Sequence, residues 1–146
     1  MLRWLRIVAV VFVALSMGAS FSHVLELPAK LELDGEHYLA VQGIYRYFGA
    51  VSTVLELGSI LLLLGVLVAG RHRVPALPTV MALTVFVAAL LVWVVVVSPM
   101  NATFASWAAG APVPWIEARQ RWEWGHAAVF GLKLGAFVLL LEAAIL

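Results

Sequence analysis

His23 and Glu26 stand three residues apart, and so do Glu123 and His126. On a helix that spacing places both members of a pair on one face. Glu56 and Lys133 are single ionisable residues inside long apolar runs. Imidazoles and carboxylates gathered in this way either hold a transition metal or move protons. Imidazole with carboxylate suits iron, copper, manganese or zinc, and two histidines with carboxylates and open positions suit non-haem iron. Helix bundles that bind two metals use Glu-x-x-His on two helices and a lone Glu on the others. Glu123-x-x-His126 has that order, His23-x-x-Glu26 has it reversed, and Glu56 supplies a further carboxylate. The candidate metal ligands are therefore His23, Glu26, Glu56, Glu123 and His126. His23 and His126 are alternatively the clamp of a b-type haem. Glu56, His126 and Lys133 are the candidate catalytic, proton-transferring groups.

The elements that carry these residues must be membrane helices. The chain has 146 residues, of which 64 % are hydrophobic and 12 % charged, with a mean hydropathy of +1.06. Soluble domains carry about 25 % charge, and disorder requires low hydrophobicity, so both are excluded. Nine Lys and Arg against eight Asp and Glu leave a net charge of +1, too little to grip a phosphate backbone; nucleic acid is excluded as a partner. With no cysteine in the chain, disulfides, thiolate metal sites and iron–sulfur clusters are excluded too. A spanning helix needs about 20 mostly apolar residues. Residues 7–27, 49–69, 77–98 and 125–146 qualify. The sequence thus predicts an all-α membrane protein, a four-transmembrane-helix bundle forming a single domain over residues 1–146.

Basic residues favour the cytoplasmic side. Arg3 and Arg6 precede the first span, and Arg71 and Arg73 fill the turn between the second and third. The expected arrangement is multi-pass in the cell inner membrane, with both termini cytoplasmic and the two longer loops outside. A cleaved signal peptide ending at Gly18-Ala19-Ser20 is the alternative for span one, but the apolar run continues to Leu27, so a retained span is expected. In the first outer loop, Tyr38, Val41, Tyr45 and Phe48 fall on one helical stripe, with Asp34 as candidate N-cap. In the second, Pro114 before Trp115-Ile116-Glu117 marks a helix start, so the fourth helix extends about 15 Å beyond the bilayer. Trp107, Trp115, Trp122 and Trp124 lie in this loop region. An interfacial aromatic belt accounts for part of them, and a walled pocket for the rest.

Each polar pair lies in the outer third of its own helix, so all can meet at one level. Glu56 is roughly 10 Å deep, where a carboxylate needs a partner. Lys133, seven residues beyond His126, shares its face and is the expected partner, either as a relay or only as an ion pair fixing helix register. The blander reading of the shallower residues is headgroup-zone polarity, with Arg119 and Glu123 an exposed ion pair. Gly131-x-x-x-Gly135 permits close packing inside the bundle or a homo-oligomer interface.

Ser98-Pro99-Met100-Asn101, then Trp107, then Arg119-x-Arg121-Trp122-Glu123-Trp124-x-His126 resembles the family of small four-helix membrane proteins, largely of unknown function, that includes anthrone oxygenases. His23-x-x-Glu26-x-Pro28-x-Lys30 and Gln42-Gly43-Ile44-Tyr45-Arg46 resemble one bacterial branch of it. The resemblance implies a membrane oxidoreductase that inserts oxygen into an electron-rich polycyclic phenol to give a quinone. Asn101, Trp107, Arg121, Trp122 and His126 match the pattern as positions. Tyr38, Tyr45, Asn101, Trp107, Trp115, Arg121 and Trp122 are the expected substrate-binding set. The expected partners are membrane lipid and a lipophilic aromatic or quinone-like small molecule. A non-enzymatic small transporter, or an accessory subunit, is the alternative.

Overall fold

The structure, a computed structural model, describes residues 1–72, 76–107 and 115–145. The expected helix start at Pro114 and the turn residue Arg73 lie outside the described residues. Helix α1 is Leu2–Leu31, α2 is Gly35–Gln42, α3 is Phe48–Gly70, α4 is Leu77–Val92, α5 is Ser98–Ala105 and α6 is Trp115–Ile145. A 3₁₀ turn, Gly43–Tyr47, joins α2 to α3, and a π turn, Trp93–Val97, joins α4 to α5. Four helical stretches are long and apolar enough to cross a membrane: Leu2–Leu31, Gly35–Gly70, Leu77–Ala105 and Trp115–Ala143. The protein is an all-α, four-helix membrane protein. The third stretch runs past its expected end at residue 98, and the fourth begins ten residues before residue 125, as the outer extension requires.

Local chemistry explains the punctuation. Asp34 caps α2, its carboxylate accepting from the His37 backbone N–H at 2.9 Å; that bond holds the exposed Asp34 carboxyl below the usual range. Pro99 has no N–H to give Val95 and its ring crowds that carbonyl. A π turn immediately before it absorbs the mismatch without ending the helix. Gly125 lets α6 approach this turn: a Cβ there would come within 2.8 Å of Val97 Cγ2 and 3.1 Å of Val96 Cγ1.

The bundle follows a repeat of alternating threes and fours. On α1 the buried positions are Ala9, Val13, Ser16, Ser20, His23, Leu27 and Lys30. On α3 they include Glu56, Ser59, Leu63 and Val66. On α6, Arg119, Trp122, His126, Val129, Lys133, Ala136 and Leu140 continue the same rhythm. A 3.5-residue repeat keeps one seam turned inward along helices crossing at about 20°. Helix α6 packs on both α1 and α4, and α1 packs on α3. The large apolar side chains Leu15, Val54, Leu61 and Leu91 are exposed instead, as befits surfaces that meet lipid.

The seam is stratified. At the end carrying Arg3 and Arg71, the core is apolar: Ala9, Val13, Leu63, Val66, Phe86 and Leu140. At the other end it is aromatic, built on Tyr38, Val97, Phe104 and Trp122. Lys30, Glu123 and Arg119 of the seam sit among the aromatic core, in contact with Trp122, Tyr38 and Trp115.

Candidate functional site

Three polar layers follow one another down the seam. In the first, Lys30 Nζ is 3.0 Å from Glu26 Oε2 and 3.7 Å from Glu123 Oε1. Its ammonium lies 4.4 Å from the Tyr45 ring centroid and 5.0 Å from that of Trp122. Tyr38 donates its hydroxyl to Glu123 at 3.2 Å, and Tyr45 donates to Glu26. Lys30 and Glu123 are 3 % and 1 % exposed. The charge of this buried cation is offset by two carboxylates and two ring faces, although its ammonium makes no hydrogen bond.

In the second layer the His23 and His126 rings stack at 3.9 Å between centroids, 25° from parallel. Trp122 meets both edge-on, at 5.0 Å and 4.3 Å. Tyr45 is 4.6 Å from His23. Both imidazole Nδ1 atoms are buried with no hydrogen-bond partner, and so is Glu123 Oε2.

In the third layer Lys133 Nζ donates to Glu56 Oε1 at 2.7 Å, to Ser20 Oγ at 3.0 Å and to the Ser16 carbonyl at 3.5 Å. Lys133 thus points into the bundle and pairs with Glu56, as the spacing from His126 predicts.

Against the second layer opens a cavity of about 500 Å³. Of the expected site residues, His23, His126, Tyr45, Asn101, Trp107 and Trp122 line it. Trp122 donates its indole N–H to Asn101 Oδ1 at 2.6 Å, fixing its ring against the cavity. Trp93 and Phe104 add further aromatic wall. Pockets of this size accept drug-sized ligands.

Other expected residues fall elsewhere. Tyr38 is fully buried behind the wall, with its ring 5.8 Å from Trp115. Arg121 is exposed and lies outside the cavity lining; its neighbours Trp122 and Glu123 occupy the seam, and the helix turns Arg121 away. Trp124 is exposed, as a belt residue would be. Of the five candidate ligands expected to meet at one level, only His23 and His126 line the cavity, and Glu56 pairs with Lys133 outside its lining. Gly131 is exposed with open space around it, whereas Gly135 approaches Val85 of α4.

The expected exposed pair of Arg119 and Glu123 does not form. Arg119 is buried. Its Nη1 donates to the carbonyls of Lys30, Leu31 and Leu33 at 3.3, 3.1 and 3.1 Å, and its guanidinium lies 4.6 Å from the Trp115 ring. It ties down the C-terminal end of α1, at Lys30 and Leu31, and the chain just beyond it at Leu33, where helix carbonyls run short of intrahelical donors. Arg119→Gln should therefore cost about 1.5–3 kcal/mol, the contribution of a hydrogen bond to a charged group. Thermal unfolding in detergent measures this; an unchanged midpoint would mean the cap carries no stability.

Lys30, Ser16 and Ser20 belong to the site although their residue types alone did not single them out. The signal that would have found them is the spacing: Ser16, Ser20, His23, Leu27 and Lys30 continue one alternation of fours and threes. Among the described residues, no group of three or more His, Asp or Glu side chains is placed to hold a metal ion. Glu26 and Glu56 each face a lysine, and Glu123 faces Lys30 and Tyr38. Imidazoles stacked at 3.9 Å likewise leave no slot for a macrocycle between them, so a haem clamped by this pair does not fit.

No protein-family model, curated protein or solved structure matches the chain. Fold and site define a class on their own: a four-helix membrane protein with an aromatic cavity walled by two stacked imidazoles.

Proposed function

We propose that the protein is an integral membrane oxidoreductase acting on a lipophilic aromatic or quinone-like molecule, with His23 and His126 as its proton-transferring groups. The observation that carries the reading is the aromatic cavity with both imidazoles in its wall. An electron-rich polycyclic phenol of the anthrone type matches the size and chemistry of that wall, and the family resemblance implies the same substrate class. In the reaction, an imidazole removes a proton from the substrate and so raises its electron density. The co-reactant is dioxygen. One oxygen atom becomes the new ring carbonyl, and the other leaves as water with the two hydrogens lost from the ring carbon. Trp122 and Asn101 position the ring, and the Lys30 layer closes the site above. The clustering of Arg3, Arg6 and Arg71 at the opposite end supports an inner-membrane orientation with both termini cytoplasmic.

The test uses anthrone as probe and the detergent-purified protein. Trp93, Trp107 and Trp122 line the cavity, so anthrone should quench tryptophan fluorescence saturably. Under air it should consume dioxygen and yield anthraquinone. Trp122→Leu should weaken binding by about tenfold, because aromatic pairing contributes roughly 0.5–1.5 kcal/mol beyond burial. Binding without turnover would favour the alternative of a small transporter or accessory subunit; absence of both would end the substrate assignment. Elemental analysis of the same sample decides separately whether iron or copper accompanies the protein.

A further inference from the structure

At the end of the bundle opposite the aromatic cavity, a second concavity of about 450 Å³ lies between α1 and α6. Arg3 and Arg6 line it together with Leu2, Ile7, Val10 and Val11 of α1 and Leu141 of α6, and they lie toward the N-terminal end of α1. Arg3 and Arg6 are three residues apart, so both guanidinium groups share one face of the helix. Among the described residues neither takes part in an ion pair, and the first turn of α1 contains no acid. Arg71 adds to the positive charge of this end. Glu142, which follows the lining residue Leu141, is exposed.

The groove is therefore cationic toward the N-terminal end of α1 and apolar along its length. Guanidinium groups match phosphate oxygens two at a time. From Arg6 to Val11 the helix advances about 7.5 Å, enough to follow the first methylenes of an acyl chain. A soluble phosphate would use only the cationic end, and a fatty chain without a headgroup only the apolar wall. A zwitterionic lipid would bring a second cation against the two arginines. We propose that this groove binds one anionic phospholipid of the bilayer, its phosphate held by Arg3 and Arg6 and one acyl chain lying along Ile7, Val10, Val11 and Leu141.

The test is native mass spectrometry of the full chain in detergent, offered phosphatidylglycerol and phosphatidylcholine in equal amounts. One phosphatidylglycerol should be retained in preference to phosphatidylcholine. Each arginine near an anionic lipid contributes roughly fivefold in affinity, so Arg3→Gln with Arg6→Gln should weaken binding about 25-fold. Because loss of basic residues also acts on membrane orientation, a second variant leaves the charge intact. Val11→Phe narrows the apolar wall at an already exposed position and should also displace the lipid. Millimolar inorganic phosphate should not compete. Equal retention of the two lipids, displacement by inorganic phosphate, or unchanged binding in either variant overturns the site.

Discussion

Lys133→Met should lower the stability of the bundle by about 3–5 kcal/mol, the usual cost of leaving one member of a buried ion pair without its partner. Lys133 is 2 % exposed and Glu56 7 %, so neither charge can turn to water in place. The single change strands the Glu56 carboxylate and removes the donor to Ser20 and to the Ser16 carbonyl. Replacing both partners, as Lys133→Met with Glu56→Leu, removes the charges together. Isosteric apolar pairs often match or exceed the stability of the ion pair they replace, so most of the lost stability should return. Denaturant or thermal unfolding in detergent reads both variants. A single variant as stable as the parent would contradict the buried pairing. Turnover of the double variant separates two roles. Recovery of stability and turnover together leaves the pair as a register device, whereas recovery of stability alone assigns it to proton movement beneath the histidines.

His126→Asn and His23→Asn should each lower anthrone turnover by about 10²–10⁴-fold, the range that a positioned general acid or base supplies. Anthrone binding, read by tryptophan quenching, should change little, because Tyr45, Trp107 and Trp122 still wall the cavity. The two imidazoles stack on one another, so they should act as a unit. The double variant should then be scarcely worse than the worse single one, as residues acting together are strongly non-additive. Additive losses would show two independent contributions. Turnover unaffected by both would place the chemistry outside the imidazole layer.

The two experiments address different layers of one seam, and the seam explains why they are separable. Lys133 is held by α1 and α3 partners, Ser16, Ser20 and Glu56. His126 meets α1 and its own helix, through His23 and Trp122. Seven positions on from His126 along α6, Lys133 lies about 10 Å from the histidine along the axis. A change in one layer therefore need not disturb the packing of the other.

Much of this was legible in the residues. Composition and the length of four apolar runs determined an all-α membrane protein, since only helices and closed barrels satisfy the backbone in lipid. The depth of Glu56 demanded a partner, and the seven-residue step from His126 put Lys133 on the right face. Asp34 was a readable cap because its side chain acts on the turn that immediately follows it. Less legible was which face turned inward. In lipid the outward surface is as apolar as the core, so hydrophobicity alone does not separate them. The buried seam declared itself only through the rhythm of small and polar residues.

What tertiary structure alone decided was the pairing across helices. In sequence Arg119 has an acid four residues ahead and looks like half of a surface pair; in the fold it reaches 86 to 89 residues back to the Lys30 and Leu31 carbonyls at the α1 terminus and the Leu33 carbonyl just beyond it. Glu26 and Glu123 look like metal ligands beside their histidines, yet Lys30 enters between them and claims both. Local spacing determines which side chains share a face of one helix. Which partner each then finds depends on how α1 and α6 lie against each other, and that is decided by close packing of the seam, Gly125 against the π turn included.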